Sequence, residues 1–207
     1  RQILTIVFGV GSGVLMAVKK DRLLDHVLGT FSTVALSLPG FWIAIVLIFI
    51  FAEQWKILPS SGISDGSGFI LPAITLALPS IGVCARLTRS AILDEIGRQY
   101  MTVADAKGMS RRRAVIRHAF GNALIPIITY LGNHMAGIIG GASIVETIFA
   151  IPGIGSYAIA GVQSKDYYVV QAYVLFSGCI YVLTNILIDL IYIALDPKIR
   201  AGEAVES

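Results

Sequence analysis

An all-α, polytopic membrane helix bundle is the fold class this sequence predicts, and three observations predict it. Only 14% of its 207 residues are charged and 56% are hydrophobic, whereas a soluble domain carries roughly 25% charged residues. The mean hydropathy of +0.78 comes from continuous apolar runs; barrel strands would instead alternate with a period of two. Five such runs, 3–18, 27–52, 69–93, 124–145 and 169–195, approach the roughly 20 residues that cross a ~30 Å hydrocarbon core as a helix.

The first run, 3–18, contains Gly9, Gly11 and Gly13. These resemble a dinucleotide fingerprint only superficially, because no strand precedes them, and in a span they read as a close-packing face. Lys19, Lys20 and Arg22 follow it, Arg86, Arg89 and Arg98 lie toward the end of the third run, and Lys198 and Arg200 close the chain. The connections 53–68 and 146–168 hold only Lys56 and Lys165. Positive charge marks the cytoplasmic side, so the loop 94–123 and the C-terminus are expected inside and the other two connections outside. The net charge of +3 then reports orientation, and no nucleic-acid partner is expected. Cys84 and Cys179 fall within runs, with neither disulfide nor zinc spacing.

The loop 94–123 is the chain's most distinctive segment. Ala104, Ala106, Lys107 and Gly108 read as a helix end and stop, since glycine is costly inside a helix and tolerates the conformation that ends one. Ser110 is placed to cap a second helix through Arg111, Arg112, Arg113, Arg117 and His118. Two short helices too polar for lipid form a knob on the membrane face, suited to docking a cytoplasmic partner. No Gly-x-x-x-x-Gly-Lys-Ser/Thr occurs, so ATP-driven work belongs to another polypeptide.

Tyr100, Ala104, Ala106, Lys107, Gly108, Arg117, His118, Ala119, Asn122, Ala123 and Pro126 resemble the cytoplasmic "EAA" loop of permease subunits in binding-protein-dependent ABC importers, most closely the dipeptide, oligopeptide and nickel branch. Thr102 stands where the wider superfamily has Glu. A second resemblance begins at Glu146 and runs through Phe149, Pro152, Gly153 and Gly155 to Asp166, Tyr167, Val169, Val170 and Gln171. Pro152 and Gly153 dictate a turn, and a short helix at the external interface is expected after it. That segment either caps the bundle or helps form an outer gate with Glu146, Pro152, Gly153, Gly155 and Asp166.

The resemblance implies one permease domain over 1–207, with 94–123 as ATPase-coupling loop (Tyr100, Thr102, Ala104, Ala106, Lys107, Gly108, Arg111, Arg112, Arg113) and an N-terminal span missing upstream of Arg1. A leftover signal peptide over 3–18 is the minor alternative. It also implies a homologous second permease, two cytoplasmic ATPases that use the ATP, an external solute-binding protein, no cofactor on this chain, and a bacterial or archaeal plasma membrane.

Two polar sites within runs remain. Asn185 and Asp189 share a face of the last run and read as helix-to-helix glue, or as a functional acid. Asn133, His134 and Met135 lie in the fourth run; imidazole and thioether suit a late transition metal, and the nickel permeases resemble this chain in placing a histidine here. The expected function is therefore inward ATP-driven transport of nickel or a nickel complex, with His134 as metal contact. Dipeptides or oligopeptides are the alternative cargo, with His134 as a hydrogen-bonded packing residue. The rival from another class is a secondary transporter or channel using Asp189 or Glu146 as an ion relay, for which the basic knob has no use. A membrane scaffold without transport leaves the two opposed motif-bearing faces unexplained.

Overall fold

The computed structural model describes residues 1–63, 66–98 and 119–195, and every regular element among them is helical. Helix α1 (Gln2–Val18) carries a π-wound stretch, Thr5–Val10, and stops before Asp21, whose φ of 62° turns the chain back. Helix α2 (Leu23–Ser37) and helix α3 (Gly40–Gln54) follow, then a 3₁₀ turn (Gly66–Phe69) and the long helix α4 (Ile70–Ile96). Beyond the loop lie α5 (Phe120–Gly141), α6 (Ser143–Ile148), α7 (Ile154–Gln163) and α8 (Tyr167–Leu195).

Two expected spans are corrected. The run 27–52 is not one helix, because α2 and α3 meet at 105°. Leu38 (φ −85°, ψ 129°) and Pro39 (φ −61°, ψ 138°) are both extended; a proline pushes its predecessor out of the helical region, and its own missing N–H starts a new helix well. The run 124–145 ends early at Gly141, and its last residues belong to α6. Pro79 and Pro126, by contrast, are carried inside α4 and α5. Among the described residues two helices are long and apolar enough to cross a membrane, the one spanning Gly66–Ile96 and α8, or three if the bent pair α2–α3 counts as one; α1 is shorter.

Helix α4 is the hub against which α1, α2, α3, α5 and α6 pack. Small side chains make this geometry available: Ala77, Ser80, Gly82, Cys84, Ala85 and Thr88 are all buried along it. From α1, Gly9 and Gly13 complete the seam; a Cβ at Gly13 would sit 2.5 Å from Thr88 Cβ and 2.6 Å from the Ala85 carbonyl oxygen. Gly11 meets nothing within 4 Å. The glycine run is therefore a helix-crossing face in two of its three members. One apolar core joins α1, α4 and the start of α5 through Ala17, Ile92, Ala119, Ala123 and Ile127. Another, Ala44, Leu71, Val145 and Phe149, joins α3, α4 and α6 at the opposite end.

Candidate functional site

The turn between α6 and α7 is built around one carboxylate. Pro152 is the centre of a tight turn closed by the Gly153 N–H on the Ile151 carbonyl at 2.9 Å, and the Ile151 N–H returns to the Glu146 carbonyl at 2.8 Å. This aims the Glu146 side chain at the start of α7, where Oε2 accepts the Ser156 N–H at 2.8 Å. The Ser156 hydroxyl accepts from the Gly153 N–H at 3.0 Å and donates to the carbonyl of Ile151 or Gly153. Glu146 thus supplies from another helix the anionic cap that the unpaired N–H groups and positive end of α7 favour. Gly155 makes room for it, since a Cβ there would lie 2.7 Å from Ser143 Cα and 2.9 Å from Glu146 Oε2. The Gly62 N–H on the Phe149 carbonyl at 2.9 Å fastens the connection after α3 to the same turn. Asp166 lies apart from this cluster: its Oδ1 accepts the N–H groups of Tyr168 and Val169 at 3.1 and 3.2 Å, capping α8.

His134 sits where α5 crosses α4. Its Nε2 is 2.5 Å from Ser80 Oγ and 2.5 Å from the Arg1 guanidinium. Its ring stacks on Tyr130 one turn earlier, 5.4 Å between centroids at 13°, and the Tyr130 hydroxyl donates to the Ser80 carbonyl at 3.3 Å. Asn133 is exposed on a neighbouring face, and the Met135 side chain lies outside the described residues. No group of three or more His, Cys, Asp or Glu suited to a metal ion occurs among the described residues, and a guanidinium against Nε2 competes with any cation there. The histidine joins two helices through hydrogen bonds.

Two carboxylates that sequence reasoning missed hold the other end. Asp25 is buried, 4% exposed, and takes Arg89 in a two-pronged pair, Nε to Oδ1 and Nη2 to Oδ2, both 2.7 Å, while its Oδ2 also accepts the Asp21 N–H at 2.9 Å. Glu95 is 8% exposed, paired with Arg98 at 3.0 Å and accepting from Asn122 Nδ2 at 3.2 Å. That bond ties the end of α4 to the start of α5 across the mouth of the basic loop. The coupling residues Tyr100, Thr102, Ala104, Ala106, Lys107, Gly108, Arg111, Arg112 and Arg113, and the side chain of Asp189, lie outside the described residues. The available clue was an acid at the edge of an apolar run, Asp25, 64 positions from its arginine.

A helical bundle of apolar segments crossed on glycine seams, with a buried Asp25–Arg89 pair joining two of its helices, is an integral membrane assembly. The chain belongs to the family described as binding-protein-dependent transport system inner membrane component, whose profile matches residues 9–201. It is similar to a probable peptide ABC transporter permease protein of Sinorhizobium fredii, 39% identical over 96% of this chain and 66% of the relative. The glutathione transport system permease protein of Escherichia coli K12 is 34% identical over 94% of this chain and 64% of the relative. The dipeptide transport system permease protein of Bacillus subtilis 168 is 34% identical over 96% and 64%. The chain thus spans 64 to 66% of the length of these curated relatives. Its fold is that of a chain in the MetNI methionine ABC transporter, solved in inward-facing conformations, with a TM-score of 0.74 at 17% identity, covering 94% of this chain and 89% of that one.

Proposed function

We propose that this chain is the membrane-spanning core of a permease subunit in an ATP-driven importer of short peptides. The observation that carries the reading is the agreement of relatives named for peptides, glutathione and dipeptides, each at least 34% identical over at least 94% of the chain. None of these three is named for nickel, and the hydrogen bonds of His134 to Ser80 and Arg1 give that histidine a packing role that needs no metal. Peptide is therefore preferred to nickel as cargo.

In this reading the chain performs no covalent chemistry. Two cytoplasmic ATPases press on the loop 94–123, a second homologous permease completes the route, and an external solute-binding protein delivers cargo above α6 and α7. The C-terminus is cytoplasmic, as the placement of lysine and arginine supports. Closure of the ATPases biases the bundle between two arrangements. The test is uptake in a strain lacking this gene. Accumulation of a labelled dipeptide falls to background and returns with the wild-type gene, while nickel accumulation is unchanged. Loss of nickel uptake with peptide uptake intact reverses the cargo assignment.

A further inference from the structure

Helix α2 has three distinct stripes. Asp25, Ser32 and Ala35 are buried against the hub. Val27, Phe31 and Val34 are exposed apolar groups of the kind that meet lipid. Between these faces runs a third, exposed and polar, made of His26, Thr30, Thr33 and Ser37, the i, i+4, i+7, i+11 spacing of a helical face. Lys19, Lys20 and Arg22 put the start of α2 at the expected cytoplasmic edge, and the stripe runs from there into the apolar run 27–52, where polar groups normally face a bundle interior or a water-filled cavity.

Helix α4 provides the opposite wall. Arg86 and Ser90 are exposed and border, with His26, Thr30 and Thr33 of the α2 stripe, a cleft of 610 Å³, within the roughly 300–1,000 Å³ of small-ligand sites. The charges in the cleft are not balanced. Both carboxylate oxygens of Asp25 are committed to Arg89, so Asp25 does not neutralise Arg86, and the two ion pairs found among the described residues leave Arg86 out. The hydroxyl of Thr33 donates to its own helix, to the Gly29 carbonyl at 3.0 Å, and presents a lone pair outward. Among the described residues the wall therefore offers one cation outside an ion pair, Arg86, beside the hydroxyls of Thr30, Thr33 and Ser90 and the imidazole of His26.

We propose that the cleft between α2 and α4 is a water-filled segment of the transport route, in which Arg86 holds the free carboxylate of a passing short peptide. The cargo half of this statement rests on the peptide reading above; the water-filled half does not. A planar guanidinium suits a carboxylate in two-pronged contact, and its partly exposed position lets the cargo leave.

The test uses the full-length permease in its assembled transporter, in membrane vesicles, with Cys84→Ala, Cys179→Ser and replacement of any cysteine of the full-length protein outside these 207 residues as background. Single cysteines at Thr30, Thr33, Phe31 and Val34 are exposed to charged, membrane-impermeant thiosulfonates. Cysteines at Thr30 and Thr33 react at least about tenfold faster than those at Phe31 and Val34, because thiols in lipid are shielded from such reagents. Normalised to a free thiol, they favour the anionic reagent over the cationic one by about three- to tenfold; Arg86→Gln abolishes the preference and Arg86→Lys keeps it. In uptake, Arg86→Gln lowers transport of a dipeptide by about tenfold while leaving that of its C-terminal amide at the wild-type rate. Equal labelling of the two stripes overturns the proposal, as does a charge preference indifferent to Arg86. A preference seen only in vesicles free of anionic lipid assigns Arg86 to a headgroup and overturns it too. Absence of any peptide uptake in the wild type removes the peptide reading and leaves the labelling result to stand or fall separately.

Discussion

Helices α4 and α8 have similar lengths and similar apolar character, yet half of the membrane-crossing window of α4 is buried within the chain and none of that of α8 is. Hydropathy does not distinguish them; side-chain size does. Along α4 the inward residues are Ala77, Ser80, Gly82, Cys84, Ala85 and Thr88, which let neighbouring backbones approach. Along α8, Val174, Leu175, Leu183, Leu187 and Leu190 are all more than half exposed, and among the described residues only α5 and α7 lean on it appreciably. Since lipid is as apolar as leucine, burial in such a chain is won by close fit and polar crossings and not by hydrophobicity.

The comparison breaks most visibly at its glycines. Gly13→Leu drives a branched side chain into Thr88 and the backbone carbonyl of Ala85 and is expected to cost about 3 kcal/mol, read as loss of monodisperse protein in detergent. Gly178→Leu on α8, where nothing lies within 4 Å, is expected to leave the elution profile unchanged. Similar losses in both variants would mean that α8 is as tightly packed as α4.

The next largest effect concerns the ion pair that α4 makes with α2. Asp25→Ala strands Arg89, and although breaking a buried pair costs about 3–5 kcal/mol, the Arg89 side chain is 32% exposed, so about 2 kcal/mol is expected. The double variant Asp25→Ala, Arg89→Ala recovers part of that loss in thermal stability. A double variant no better than the single one would show that the pair positions α2 by more than charge.

Smaller again is the cap on α7. Glu146→Gln keeps an acceptor near the Ser156 N–H but removes the charge facing the helix start, a change of about 1 kcal/mol; Gly155→Val, which collides with Ser143, exceeds it. Faster proteolysis between Phe149 and Ser156 is the readout, and unchanged cleavage would demote the carboxylate to a spectator. Smallest is Leu183→Ala on α8, whose side chain is 64% exposed. Its effect on the single chain stays within about 0.5 kcal/mol, measured by thermal unfolding in detergent, so a larger drop in the assembled transporter than in the isolated subunit would locate a partner on that face.

Much of the fold was legible because apolar runs and glycine spacing are local properties. Gly9 and Gly13 announced a crossing, and the Pro152–Gly153 turn announced a short helix after it. The bend at Pro39 was not read because the run continues apolar through it; the break lies in φ and ψ and not in hydropathy. Asp25 and Arg89 were missed for a different reason. Arg89 served as a topology marker, and a marker conceals its partner when that partner is 64 positions away in the chain. His134 stands out by residue type alone; its neighbours Ser80 and Arg1 come from other parts of the bundle, and no spacing along the chain encodes them. The coupling role of the loop rests on resemblance, since its central residues 99–118 lie outside the described ones.

The bond from Asn122 to Glu95 has a mechanical meaning. It bridles the two helices that carry the basic loop, at the point where α1 also presses its Ala17 against Ile92 and Ala123. In the importer proposed above, a thrust on that loop would not swing α5 alone; it would be shared with α4, the helix against which α1, α2, α3, α5 and α6 pack. Packed this way the chain is less like a door on a hinge than like a set of staves on a common post, and if the proposed importer role holds, loosening the bridle with Asn122→Ala is expected to cost coupling efficiency, counted as cargo moved per ATP, before it costs affinity for cargo.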